Sequence, residues 1–536
     1  QKSAKPGFPP SSPTGWPMGS EPLESAPRGF LALLTPRVAR VPLLLASGGA
    51  LALAFPATEI PLLAWVALVP VFGCALARPP REAFGDGWLA GVVFFTLLLG
   101  WLDYTFRTYS AIPWPLTWLP IVGLAGYLGL YIGGVAAAAS WLARRLGRGW
   151  ALAAAPVLWV AAEWLRGHLL SGFPWGLLGY SQYRQLPLIQ VAEWTGVYGV
   201  SFLIALVNAA LAGALAAGWR RGAPGLLGAV GLVLLSVWVG RGSVTTAEEE
   251  ALVVAIVQPN VEQAIKWDPD FQARTMAVYR ALTLEAARAG PAVVIWPETA
   301  VPAILRLDPT MLDGLTKLSG AIRAPLILGA VDVGGLGGNR YYNSAVLLSV
   351  RGIEMSYDKI HLVPFGEYIP LRWLIGFVQR WAEFISEFAA GTRQTVFPLA
   401  EGSFGVVICY EGLFPELFRG FVSGGARFMV NITNDAWFGR TSGPWQHLAV
   451  LPFRAVEHRV ALARAANTGV SAVIEPSGRI RATLPLFERG VLTARLPLRR
   501  GVTFYTRFGD LFAYLCLGLT GASGLWAVLE RRSVGF

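Results

Sequence analysis

Charge is scarce in this chain of 536 residues. Asp, Glu, Lys and Arg together make up 14%, against 54% hydrophobic residues and a mean hydropathy of +0.50. A soluble protein of average composition carries about 25% charged residues, so that class is excluded and a membrane class follows. Histidine and cysteine are scarcer still, with four and three copies. Cys74 and Cys516 fall inside apolar runs, so Cys409 is the lone thiol of the polar region and has no partner there for an intradomain disulfide. His361, His447 and His458 lack metal-ligand spacing with Cys409, and a zinc site is rejected. Acidic residues are fewer than basic ones, 33 against 44, yet no basic stripe or nucleic-acid motif accompanies the excess. Residues 1–246 hold most of it, 16 Lys/Arg against 8 Asp/Glu. Positive loops beside apolar spans explain this charge, and nucleic acid is not an expected partner.

Apolar stretches of about 17–25 residues can cross a hydrocarbon core of about 30 Å. They are expected to span near 38–55, 58–77, 86–106, 117–142, 150–167, 194–217 and 223–240, with an eighth near 509–529. Residues 1–29, rich in Pro, Ser and Gly, read as a disordered tail or cloning remnant. The expected division is a bundle of about seven spans over 30–246, an α/β domain over 247–505, and a final span with a cytoplasmic tail over 506–536. With eight spans, the clusters Arg37/Arg40, Arg78/Arg81, Arg144/Arg145/Arg148, Arg220/Arg221 and Arg531/Arg532 all fall on one side. The positive-inside rule makes that side the cytoplasm and puts 241–508 outside. No cleavable signal is apparent, and span one can serve for targeting. A transporter would be expected to carry ionisable residues along its spans. Only Asp103, Glu163 and Glu193 stand near span ends, which weighs against transport.

The stretch 405–412, GVVICYEG, reads as a buried strand with Cys409 at its carboxyl end, where α/β folds place chemistry. Strand-like ALVVAIVQ at 251–258, AVVIW at 292–296, 325–329, 345–350, 404–409 and 427–432 alternate with helix-like 272–289, 310–320 and 413–424. A sheet with helices on its faces is expected. AVVIW leads into Glu298, the hairpin after 345–350 leads to Lys359, and GVVI leads into Cys409. Together they make coherent chemistry. A thiol needs a base beside it or a cation to stabilise its thiolate, a role open to Glu298 and Lys359 respectively. The plainer readings are a buried structural cysteine, a capping glutamate and a solvated lysine. A further loop, 168–187, carries GFPWG and GYSQ. It fits an interfacial aromatic belt or the floor of a path for a lipid-like substrate.

Pro297-Glu298, Lys359 in DKIHLVPFGEYIP at 358–370, and Cys409-Tyr410-Glu411 resemble the Glu–Lys–Cys triad of the nitrilase superfamily. Together with the membrane region, GFPWG-x-x-GYSQ at 172–182 and TNDAWFG at 433–439, the chain is similar to the apolipoprotein N-acyltransferase family over nearly everything after residue 30. The resemblance implies a nitrilase-like αββα sandwich on a polytopic bundle of eight spans, held in the bacterial inner membrane with the sandwich on the periplasmic side. It implies acyl transfer from a phospholipid, typically phosphatidylethanolamine, to the α-amino group of the N-terminal diacylglyceryl-cysteine of a lipoprotein. Cys409 would form the thioester, Glu298 act as general base and Lys359 stabilise the oxyanion. Glu367, Tyr410, Glu411 and Trp267 match positions the family treats as functional. No cofactor or metal is implied.

Trp373, Phe377, Trp381, Phe384 and Phe388 recur at helical spacing between Lys359 and Cys409. They are expected either to pack in a core or to form a lid dipping into the lipid interface. The competing function is a membrane-tethered amidase with the same triad and water as acceptor.

Overall fold

A helix satisfies every backbone group of a long apolar run within the run itself, as lipid requires, and the N-terminal region is helical. The computed structural model describes residues 29–244, 250–263, 269–334, 340–369 and 387–533. Among the described residues, four helices are long and apolar enough to cross a membrane: Trp118–Arg145, Val197–Ala217, Trp219–Arg241 and Leu511–Glu530. Pro80–Leu98 and Leu102–Tyr109, bent by 56°, make a fifth if they count as one span. The expected eight therefore stand at four or five by length and composition. The region expected at 58–77 is broken at its start by a 3-10 turn at Pro61–Leu63 and is short, Pro61–Ala77. Arg37–Leu53 has only 17 residues, and Arg148–His168 carries the buried charges Glu163 and Arg166.

Two of the basic clusters do meet at one end of this bundle. Arg40 Nε lies 3.0 Å from Asp86 Oδ1 and Arg78 Nε 2.9 Å from Asp86 Oδ2. One buried carboxylate thus ties the helices Arg37–Leu53 and Pro80–Leu98 to the end of Val69–Ala77.

The remainder forms two facing sheets. The first is ordered β11-β1-β2-β3-β4-β5, the second β10-β9-β8-β7-β6. The strands are β1 (Ala251–Gln258), β2 (Val293–Ile295), β3 (Leu326–Gly334), β4 (Arg340–Ser349), β5 (Gly352–Asp358), β6 (Phe404–Ile408), β7 (Phe428–Thr433), β8 (Ala461–Ala466), β9 (Ser471–Ile474), β10 (Ile480–Leu484) and β11 (Gly490–Pro497). β1 packs across on β8, and β4 on β6. Helices Pro269–Ala286 and Pro309–Ile322 cover the first sheet, and Pro415–Ser423 and Gly443–His458 the second. The expected αββα order is present.

Side-chain alternation along β1 explains why it is apolar up to its last residue, Gln258. Leu252, Val254 and Ile256 enter the core between the sheets, while Ala255 and Val257 enter the core beneath the covering helices. The first of these cores runs without a break into the helical bundle.

Helix Gly443–His458 joins the two regions. Gln446 Nε2 donates to the carbonyls of Pro56 (2.9 Å) and Leu98 (3.1 Å), and its Oε1 accepts from Trp175 Nε1 at 2.8 Å. Three membrane-side segments are thus tied to one buried amide. An apolar replacement would orphan these groups, at about 1–3 kcal/mol for each buried partner left unpaired. Gln446→Leu is therefore expected to lower the thermal unfolding midpoint of the detergent-solubilised protein. An unchanged midpoint would show that the amide does not hold the two regions together.

Candidate active site

Strand ends from both sheets converge at one end of the sandwich. Glu298 follows β2 by three residues, Lys359 follows β5 directly and Cys409 follows β6 directly. Lys359 is 1% exposed, yet its Nζ is saturated with charge: Glu367 Oε1 lies at 2.9 Å, Glu367 Oε2 at 2.8 Å and Glu298 Oε1 at 3.6 Å. A buried ammonium without such partners would lose its proton. Burial pulls the Lys359 pKa down, but Glu367, Glu298 and Cys409 outweigh it and hold the lysine above its ordinary range.

Each carboxylate is in turn aimed by donors. Asn343 Nδ2, from β4, donates to Glu298 Oε1 at 2.7 Å and to Glu367 Oε1 at 2.9 Å. The second sheet supplies the Asn434 N–H to Glu298 Oε2 at 2.9 Å. The Val363 N–H donates to Glu367 Oε2 at 2.8 Å. Glu298 is therefore bound by groups from both sheets and is not merely a cap.

Cys409 is half-buried, and its backbone sits in the left-handed region at φ 52°. For a residue with a Cβ this conformation costs about 1–2 kcal/mol and needs outside support. Glu411, fully buried, gives part of it. Its Oε2 accepts from the Ile408 N–H at 2.8 Å. Its Oε1 accepts from Tyr357 Oη (2.8 Å) and from the N–H groups of Ile360 (2.7 Å) and His361 (3.0 Å). One carboxyl thereby staples the residue before Cys409 to the two residues after Lys359. Burial pushes its pKa up to about 7, against the opposing pull of these donors. Gly391 closes the lysine side: its N–H donates to the Lys359 carbonyl at 2.8 Å, and any Cβ there would collide with the Asp358 carbonyl.

Tyr410 Oη donates to the Gly172 carbonyl at 3.2 Å, so the residue after the thiol rests on the membrane-side loop. Arg166, buried in the bundle, holds that loop by donating to the carbonyls of Phe173 (3.0 Å) and Trp175 (2.6 Å). The GFPWG segment thus lies against the site. Trp267 and the stripe residues Trp373, Phe377, Trp381 and Phe384 lie outside the described residues. The chain re-emerges beside the site, where the Phe388 N–H donates to the Glu367 carbonyl at 3.2 Å.

Several site residues escaped the sequence reading. Asn343 bridges the two carboxylates, yet it lies in the polar half of β4, RYYNS, where nothing sets it apart. Asp435, His447 and Arg464 form a fully buried group next to the Cys409 backbone. His447 is in contact with the site although no strand end precedes it in the sequence. Among the described residues, no group of three or more His, Cys, Asp or Glu side chains could hold a metal ion.

This fold and thiol site define a carbon–nitrogen hydrolase type of enzyme set on an apolar helical region. The family model described as "Carbon-nitrogen hydrolase" matches residues 253–503, and "Apolipoprotein N-acyltransferase N-terminal domain" matches residues 47–210. The apolipoprotein N-acyltransferase of Geobacter metallireducens is 41% identical over 497 residues, covering 91% of this chain and 94% of that one. Those of Azotobacter vinelandii and Methylococcus capsulatus are 37% and 34% identical, with 92% and 89% of this chain covered and 95% and 94% of theirs. The chain belongs to the apolipoprotein N-acyltransferase family.

The electrostatics of the thiol make a specific prediction. Burial and the negative charge of Glu298 raise the Cys409 pKa above its ordinary 9.0, Lys359 opposing. A raised pKa keeps the thiol neutral as pH climbs past 9.0, so alkylation of Cys409 by iodoacetamide should still be rising there. Glu298→Gln removes a negative charge and should move the alkylation midpoint to lower pH. A wild-type plateau near neutrality, or a midpoint that Glu298→Gln leaves in place or raises, would refute this account.

Proposed function

We propose that the chain transfers an acyl group from a membrane phospholipid to the α-amino group of the N-terminal diacylglyceryl-cysteine of a lipoprotein, through a thioester on Cys409. One observation carries the reading beyond family membership. The thiol shares its field with a buried Lys359 clamped by Glu298 and Glu367, while the next residue, Tyr410, is bonded to the membrane-side loop.

In the first half-reaction the Glu298 carboxylate takes the thiol proton and sulfur attacks the ester carbonyl. Lys359 and the Tyr410 N–H hold the oxygen that gains charge. The tetrahedral species collapses, breaking the ester C–O bond, and Glu298 returns the proton to the departing lysophospholipid. In the second half the lipoprotein amine attacks the thioester, Glu298 accepts the amine proton, and the sulfur leaves to be reprotonated. Glu367 keeps Lys359 charged and in place, and Glu411 fixes the distance between the loops bearing Lys359 and Cys409.

The same reading takes residues 30–246 and 506–536 as the membrane portion and 247–505 as the catalytic domain. The protein would lie in the bacterial cytoplasmic membrane with the catalytic domain on the periplasmic side, and phosphatidylethanolamine would be the acyl donor. The positive clusters support that orientation. A reporter inserted between residues 247 and 505 should be active only outside the cytoplasm; activity inside would reverse the topology.

Incubation with phosphatidylethanolamine vesicles, followed by intact-protein mass spectrometry, should add one fatty acyl mass to the wild type and none to Cys409→Ala. Lys359→Ala should slow adduct formation by at least about 10²-fold, the usual loss on removing one oxyanion donor. Initial velocities with both substrates should give parallel double-reciprocal lines. Intersecting lines, or a wild type that releases free fatty acid with no adduct, would overturn the mechanism in favour of a ternary complex or an amidase-like hydrolysis.

A further inference from the structure

The proton transfers above leave the buried His447 without a task. His447, 1% exposed, lies on helix Gly443–His458 with Nε2 3.1 Å from the Cys409 carbonyl oxygen. A carbonyl oxygen can only accept, so Nε2 carries the proton of this bond whatever the state of the other ring nitrogen. Nδ1 stands 3.1 Å from Asp435 Oδ1 and 3.2 Å from Arg464 Nη2, and Arg464 donates to Asp435 Oδ2 at 2.5 Å. Asp435 and Arg464 are fully buried. Trp175 and Phe438 pack around the imidazole, with ring centroids 5.7 and 6.2 Å away. The ring is therefore held at both nitrogens and walled by aromatics, more constraint than a space-filling core residue needs.

The constraint matters because of what Cys409 shares with its successor. The Cys409–Tyr410 peptide is trans and planar, so its C=O and N–H point in opposite directions. The carbonyl is turned toward His447, on the helix covering the outer face of the second sheet, and Asn431 Nδ2 approaches the same oxygen at 3.5 Å. The Tyr410 N–H must then face the other way, the side from which the first sheet brings Glu298 and Lys359. The left-handed backbone of Cys409 makes this orientation one that has to be enforced.

We propose that His447 is a positioning residue: by holding the Cys409 carbonyl it aims the Tyr410 N–H at the oxygen of the acyl carbonyl under attack. That N–H and Lys359 then share the developing oxyanion. His447 neither touches substrate nor moves a proton in this role. Asp435 and Arg464 serve to fix its ring. The inference rests on the thioester reading above and adds to it the origin of the backbone donor's geometry.

The test compares two reactions of one sulfur in the full-length protein. Alkylation by iodoacetamide displaces iodide at a tetrahedral carbon and generates no oxyanion, whereas acylation by phosphatidylethanolamine vesicles does. His447→Phe should alkylate at Cys409 within about threefold of wild type while its acylation slows by about 10²-fold, the lower end of what one oxyanion donor is worth. His447→Gln keeps a donor of similar reach and should restore acylation to within about tenfold of wild type. If His447→Phe does not fold, judged by its thermal unfolding transition, His447→Asn takes its place, since its amide is too short to reach the carbonyl. Equal losses in both reactions, unchanged acylation, or failure of Gln to restore it would overturn the proposal. A wild type that forms no acyl adduct would instead remove the thioester reading on which it stands.

Discussion

The buried ammonium of Lys359 is the constraint on which the rest of the site depends. Taking an ammonium out of water costs several kcal/mol even after the protein relaxes, and only close, well-aimed counter-charges offset it. Glu367 and Glu298 supply these at 2.8 and 3.6 Å. The carboxylates then need donors of their own, which Asn343, Val363 and Asn434 provide. That shell draws on β4, on the loop after Lys359 and on the end of β7, so the charge can be satisfied only when both sheets are assembled. Two carboxylates against one ammonium also leave the surroundings of Cys409 negative. Burial and that negative charge keep the thiol protonated, and a protonated thiol is a poor target for oxidants.

A second constraint is backbone geometry. Cys409 is held in a left-handed conformation from two directions: Glu411 binds the N–H of Ile408 before it, and His447 binds its own carbonyl after it. Both clamps reach outward. Glu411 also holds the turn after Lys359, and His447 is packed against Trp175 of the membrane-side loop. That loop is fixed in its turn by Arg166 below and by Gln446 above. Cys409 is thus registered to the lysine on one side and to the membrane region on the other through buried side chains.

Much of this was legible in the sequence, and what was missed has physical reasons. The run ALVVAIVQ is β1, residue for residue, because a strand buried on both faces favours apolar side chains, β-branched ones packing well there, and its one polar residue, Gln258, is fully hydrogen-bonded at the end. The strand ends before Glu298 and Cys409 were legible because each closes an apolar run that reads as a strand, whereas β5 before Lys359 reads GIEMSYD, which is not an apolar run. β8, by contrast, reads ALARAA, which by propensity is helical, and its central Arg464 argues for a surface. Tertiary context overrides both signals: the strand is buried throughout, and Arg464 is neutralised by Asp435 from the loop after the neighbouring strand. Asn343 and His447 act across long sequence separations, and nothing local marks them. Fewer helices pass as spans by length and composition than the eight expected, because apolar content alone does not reveal breaks. Pro61 interrupts one run, the chain bends by 56° in another, and Glu163 and Arg166 place paired polar work inside a third.

Hydrolytic and transfer enzymes that share a thiol and a Glu–Lys pair differ in what reaches the acylated sulfur. A thioester is open to any nucleophile, and water outnumbers an N-terminal amine by many orders of magnitude, so transfer needs water kept away more than it needs another catalytic group. The membrane side of this site is suited to that. Trp101, Trp175 and Phe438 pack on one another with ring centroids 4.5 to 6.3 Å apart, and His447 and Tyr410, which touch this wall and the loop it stands on, give their polar atoms to backbone carbonyls. The floor is therefore largely apolar, with the buried Trp101 Nε1 its one ring donor lacking a hydrogen-bond partner among the described residues, and it offers a water molecule few partners. A bilayer beneath such a floor brings acyl chains without passage through water, which would cost about 0.8 kcal/mol for each methylene exposed. On the proposed mechanism the choice of an amine over water follows from where the sandwich is placed, with the catalytic groups of a hydrolase left unchanged.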